Sequence, residues 1–182
     1  MSLRLKLAEL YLPRSIRARR FRELFGLTAR AVESPVPLPD GLSFEEERLA
    51  FARFTQNPSE RLAGDDHARA EAERRLRESA YDLGQRLRKD LGVRSRADVM
   101  RSARLLYRLL GIDFQGTEDG TIIIPKCFFA ETYSARTCDL ISALDEGLLA
   151  GLAGGGTLVF SERITENRPC CRARFGFLKA TP

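Results

Sequence analysis

Tryptophan is absent from the 182 residues, histidine occurs once, as His67, and lysine occurs only at Lys6, Lys89, Lys126 and Lys179. A lone imidazole excludes any site built from several histidines. Ser-His-Asp chemistry would have to rest on His67, far in sequence from every cysteine. His67 follows Asp65 and Asp66 at the start of a charged segment, the setting of an exposed surface histidine. No run of about 18 apolar residues occurs, so no membrane-spanning helix is expected. The polar, arginine-rich N-terminus does not read as a secretory signal. The cysteines, Cys127, Cys138, Cys170 and Cys171, show neither C-x-x-C spacing nor a disulfide framework, which fits a reducing cytoplasm. Internal repeats and low-complexity tracts are also lacking.

What is present is arginine. Thirty basic residues stand against 25 acidic ones, a net charge of +5, and all the basic residues but the four lysines are arginines. The charges are interleaved along the chain, the pattern of solvated helix faces. Arg14, Arg17, Arg19, Arg20 and Arg22 form a basic cluster whose composition suits a phosphate or an acidic partner. The signatures of DNA-binding motifs are missing, so an exposed helix is the preferred reading and nucleic acid is not expected as a partner. A hydrophobic content of 43% supplies a real core.

Helical periodicity dominates the first 110 residues. Short helices are expected over 3–11 and from Ser15 to about Val32, followed by a Pro-rich connector over 33–40. Ser43 and Glu46 make a capping box for a helix to Phe54 with Leu49, Phe51 and Phe54 buried. Asn57-Pro58 reads as a turn. A long charged helix over about 62–90 carries Ala72, Leu76, Leu83 and Leu87 on one stripe. It is expected to cover the domain or to pair with a second copy in a homodimer. Ser95 and Asp98 cap a helix to about Leu110, with a core stripe of Val99, Ala103, Leu106 and Leu110. A hairpin follows, Ile112–Gln115 and Thr121–Cys127, then a helix, then two strands. Helices followed by a β-β-α-β-β unit predict an α+β fold with an antiparallel sheet. The expected division is a helical part, 1–110, packing on the sheet, and an α/β part, 111–182, that carries the ligand or metal site, together forming as little as a single domain.

All four cysteines fall within Cys127–Phe175, and the chemistry is sought there. Thr157–Thr165 reads as a strand, and its alternation places Glu162 between Phe160 and Ile164 on the more apolar face. A buried carboxylate needs a proton, a cation or a metal. In the following strand, Cys170–Leu178, Cys171 shares the inward face with Ala173, Phe175 and Phe177, and Cys170 points outward. A four-residue turn, Glu166–Pro169, would make Glu162 and Cys171 diagonal neighbours. On the preceding helix, capped by Thr137, the core stripe is Ile141, Leu144, Leu148 and Leu152. Cys138, Ser142, Asp145 and Leu149 line its edge. Cys127, Cys138, Glu162 and Cys171 are therefore candidates to converge. Three thiolates and a carboxylate can hold zinc in four-coordination. The alternative is that the cysteines are small apolar packing residues.

The run Cys138-Asp-Leu-Ile-Ser-Ala-Leu-Asp145, preceded by Cys127 and followed by Cys171-x-x-x-Phe175, resembles the C-terminal half of the L-2-amino-thiazoline-4-carboxylate hydrolase family. Its layout is also similar to the 4-vinyl-reductase domain, a small-ligand-binding fold in which Cys and Glu can hold zinc. Cys127, Cys138, Asp145 and Cys171 match. Ser142 stands where the hydrolase pattern often has a second helix cysteine, and Thr165 stands where the 4-vinyl-reductase pattern has a cysteine. The resemblance implies a hydrolase-like protein that acts on or binds a small cyclic nitrogen- and sulfur-containing carboxylic acid. Cys138 or Cys171 would be the nucleophile and Asp145 or Glu162 the acid or base. Arg163 or Arg174 would hold the substrate carboxylate. The competing reading is a non-catalytic small-molecule-binding or sensor module with a zinc clasp of Cys127, Cys138, Glu162 and Cys171. A third is a purely structural or interaction protein.

Overall fold

The computed structural model describes residues 3–11, 13–34, 41–62 and 64–178, so most of the Pro-rich connector (35–40) lies outside the described residues. The helices are α1 (Leu3–Leu10), α2 (Arg14–Ala31), α3 (Phe44–Arg61), α4 (Asp66–Leu91), α5 (Arg96–Leu109) and α6 (Ala135–Ala153). The strands are β1 (Ile112–Gly116), β2 (Thr121–Cys127), β3 (Gly156–Glu162) and β4 (Cys171–Phe177). They pair antiparallel throughout, in the spatial order β1-β2-β4-β3. The chain is thus α+β, with helices ahead of a β-β-α-β-β unit.

Local chemistry accounts for most boundaries. Ser43 with Glu46 and Ser95 with Asp98 form reciprocal capping boxes that satisfy free N–H groups at the starts of α3 and α5. Ser134, not Thr137, caps α6, accepting from the Thr137 backbone N–H; Thr137 lies inside the first turn. Pro58 does not stop α3, which runs one turn further to Arg61. Proline removes one N–H, but Phe54, Thr55, Pro58 and Ser59 are buried there, and packing outweighs the lost bond. Leu49, expected inside, lies on the exposed side of α3.

Alternation sorts the sheet into two faces. Ile112, Phe114, Ile122, Ile124, Ala173 and Phe175 are buried on one face, which packs against α5 and α6. Asp113, Gln115, Arg172 and Arg174 point to the other. One hydrophobic cluster runs from Phe21 on α2 to Phe175 on β4, so the helical half and the sheet half share a core.

The tightest junction lies between α4 and α6. Gly84 on α4 and Gly147 and Gly151 on α6 let the two backbones touch. A Cβ on Gly147 would stand 2.1 Å from the Arg77 carbonyl oxygen, and one on Gly151 would stand 2.2 Å from that of Tyr81. Backbone cannot yield as a side-chain tip can, so any larger residue pushes the helices apart. Gly151→Val is expected to lower the unfolding free energy in urea by roughly 1–3 kcal/mol or more. Gly26→Ala on α2 is the control. A Cβ there meets only Arg30 Nη1 at 3.5 Å, so stability should hold or rise by up to about 1 kcal/mol.

Candidate functional site

The sheet order sets the site. β2 and β4 are central neighbours, and Ile124 pairs with Cys171. The end of β2 and the start of β4 therefore lie at the same edge of the sheet, where Cys127 and Cys171 stand. The first turns of α6 deliver Cys138, and the third delivers Asp145. Cys127, Cys138, Asp145 and Cys171 line one internal cavity of about 90 Å³. The rest of its wall is mostly apolar, with Phe51, Leu83, Phe129, Ile141, Leu144 and Leu148 among its members. Tyr107, Tyr133 and Thr165 add the remaining polar atoms.

Glu162 does not join them. β3 ends at Glu162, short of the expected Thr165, and the β3–β4 register shifts between Phe160 and Glu162. This irregularity sets Glu162 opposite Arg172 instead of near Cys171, with a carboxylate–guanidinium distance of 3.4 Å and the Glu162 side chain 37% exposed. Its charge is met by a cation at the sheet rim, not by burial. The chain then turns through a short 3-10 segment, Ile164–Glu166, instead of the expected four-residue turn, with Asn167 at φ 60°. That segment swings Ile164 and Thr165 into the cavity wall. Cys170, expected outward, is buried, yet it lies outside the cavity lining.

The zinc clasp of Cys127, Cys138, Glu162 and Cys171 is not assembled. Among the described residues, no group of three or more His, Cys, Asp or Glu side chains is placed to hold a metal ion. Neither proposed carboxylate clamp reaches the cavity. Arg163 bonds Asp139 at 2.9 Å and lies over the Phe160 ring. Arg174 is exposed beside Asp119. His67 is exposed at the start of α4.

Among the described residues, Asp145 is the one acidic group in the lining. It is surrounded by protein but keeps part of its surface open to the cavity. Tyr107 Oη donates to its Oδ1 at 2.6 Å. Burial raises its pKa from 3.8 to about 6, against the opposing pull of the Tyr107 hydrogen bond and the Arg163 charge. The thiols move the same way and for the same leading reason. Burial pushes Cys127 up to about 12 and Cys138 to about 11, with the Asp145 charge adding to both. Cys171 is raised as well, although its Sγ accepts the Ile164 N–H at 3.4 Å. All are thiols, not thiolates, near neutral pH. No imidazole stands by to take a proton from them.

Tyr107 and Tyr133 escaped the sequence reading. Tyr107 follows Met100 and Ala103 at i+7 and i+4, a buried stripe one position away from the one assigned to α5. A tyrosine on such a stripe signals a buried hydroxyl that needs a partner. Tyr133 meets Thr55 Oγ1 at 2.6 Å from α3, a contact across 78 residues that no local pattern announces. Comparison with known protein families finds no match, and neither does comparison with characterised proteins.

Two measurements check the electrostatics. A carboxyl group whose pKa is higher folded than unfolded binds its proton more tightly in the folded state. Stability should therefore fall as pH rises from about 3.8 to about 6. At about 1.4 kcal/mol per tenfold change in proton affinity, the loss is roughly 3 kcal/mol above that window. Asp145→Asn should abolish this slope in urea titrations at pH 4 to 7. For Cys138, the rise from 9.0 to about 11 lowers the thiolate fraction about a hundredfold. Site-resolved mass spectrometry should show its alkylation by iodoacetamide at pH 8 slowed to a similar degree.

Proposed function

We propose that this protein is a small-molecule-binding module whose ligand occupies the cavity between α6, α5 and the end of the sheet. The observation that carries this reading is an internal, mainly apolar space with a single buried carboxyl group held by Tyr107. Such a combination, apolar walls with a few convergent polar groups and one strongly shifted acid, is the usual form of a ligand pocket. The size limits the guest. An apolar cavity of about 150 Å³ accepts benzene, so at about 90 Å³ a short branched chain fits as the space stands, and an aromatic ring enters only by displacing wall side chains. Among the described residues no Lys or Arg lines this space. A guest carboxylate there would face Asp145 without a cation, so a neutral guest, or one with a donor for Asp145, fits better than an acid.

Hydrolysis of a small cyclic nitrogen- and sulfur-containing compound is the second reading, favoured by the meeting of Cys138, Asp145 and Cys171 on one cavity. Its weakness is chemical: the raised thiols are poor nucleophiles. Binding is therefore the preferred activity. Self-association through the helical half belongs with it, since α1 leaves Leu3, Leu7, Leu10 and Tyr11 exposed at one-face spacing, an apolar stripe that a second copy would cover. Toluene and indole serve as probes. Either should raise the melting temperature and perturb α6 resonances in the wild type. Cys138→Phe, which fills the cavity, should remove the response while remaining folded. A wild-type response equal to that of Cys138→Phe would defeat the reading.

A further inference from the structure

A second apolar space abuts the first. It is lined by Phe21, Leu106 and Leu109 among others, and it shares Leu24, Leu83, Leu110 and Leu148 with the cavity around Asp145. The two are separated by little more than those leucine side chains. Arg17 and Arg20 stand in the lining of the second space. Arg20 is committed, bonding Glu23 at 2.9 Å and Asp90 at 2.6 Å.

Arg17 is not. Its guanidinium lies 5.6 Å from the centre of the Phe44 ring, and its Nε is buried without a hydrogen-bond partner. Arg48 repeats the arrangement. It lies 5.7 Å from the same ring and 4.5 Å from that of Phe128, again with a buried, unpartnered Nε. It also presses on Gly111, where a Cβ would stand 2.5 Å from Nη1, next to Leu110 of the shared wall. Among the described residues neither arginine has a carboxylate within ion-pair distance, whereas Arg20, Arg22, Arg69, Arg74, Arg75 and Arg77 all do. Glu47, adjacent to Arg48, is engaged by Arg22 at 2.7 Å. Two half-buried cations on one aromatic ring repel each other, and each leaves a donor unsatisfied. An anion bound to the outward faces of the two guanidiniums would offset that repulsion.

From Arg17 in the lining of the second space, Arg48 beside it on the Phe44 ring, and the paired apolar spaces next to them, we infer that the ligand is a single-chain amphiphile with an anionic head. The head binds Arg17 and Arg48 around Phe44. The alkyl chain runs along the second space and past Leu24, Leu110 and Leu148 toward Asp145. The inference deepens the binding function proposed above and rests on it for the inner end of the chain. It also explains why that cavity needs no cation of its own: the ligand's charge stays at the rim.

Octanoate, octyl phosphate, 1-octanol and toluene separate the parts when titrated calorimetrically into the full chain. The expected result is that octanoate or octyl phosphate binds at least about ten-fold more tightly than octanol. The better of the two acids assigns the head as carboxylate or phosphate. Arg17→Gln with Arg48→Gln should erase that advantage and leave toluene binding unchanged. Arg17→Lys, which keeps the charge, should restore part of the advantage in the Arg48→Gln background. Leu148→Trp should weaken octanoate and toluene together. Equal affinity for octanoate and octanol, or an advantage that survives loss of both arginines, overturns the inference while toluene binding still supports the cavity. Arginine-dependent octanoate binding without any toluene response would sink the cavity reading instead and keep the anionic rim. If the double glutamine variant fails to fold, each single Gln variant, compared by its octanoate-to-octanol ratio, gives the same decision.

Discussion

The approach of α6 to α4 is the constraint on which the site depends. Glycines at 84, 147 and 151 allow main-chain contact, and ion pairs brace the same junction at Arg77–Glu146 and Arg69–Asp139. One side of α6 is thereby fixed to a helix. Its adjacent side presents Cys138, Ile141, Leu144, Asp145 and Leu148 to the cavity. Were α6 free to rotate by even one position, Asp145 would leave the reach of the Tyr107 hydroxyl. Its carboxylate would then be buried without a partner, which is costly.

The electrostatic character follows from that placement. Three thiols and a carboxyl share a space with low polarity and no cation in its lining, so burial outweighs every stabilising contact and all are driven toward their neutral forms. Nucleophilic thiolate chemistry needs the opposite, since the attacking sulfur must lose its proton. A binding role requires only shape and one or two hydrogen bonds.

Much of the architecture was legible because it is written in short-range pattern. The capping boxes at Ser43 and Ser95, the stripe of α4 and the β-β-α-β-β order each follow from residues within one or two turns of each other. The inward placement of Cys171 was legible for the same reason, while Cys138 and Asp145 could be read only as far as the edge of the helix stripe. Glu162 was misplaced because alternation holds only while the ladder stays regular. The bulge after Phe160 and the 3-10 turn beyond it break the count. Tyr107 carried a local sign, its place on a buried stripe of α5, but its partner Asp145 lies 38 residues away, and the Thr55–Tyr133 contact spans 78 residues with no local pattern to announce it. The glycines on α4 and α6 look like flaws in helices until the neighbouring backbone is seen.

The helical half reaches into the sheet half through a small set of bonds. Thr55 meets the Tyr133 hydroxyl, Gln56 donates to the Thr132 carbonyl, and Phe51 packs edge-on against Phe129. Leu24 and Phe51, from the first two long helices, form part of the cavity wall. The chain therefore cannot be trimmed to its cysteine-bearing portion without changing what that portion is. A fragment starting after α3 would keep every titratable group of the pocket yet lose the walls that Leu24 and Phe51 provide, widening an already partly open pocket and exposing Asp145 further.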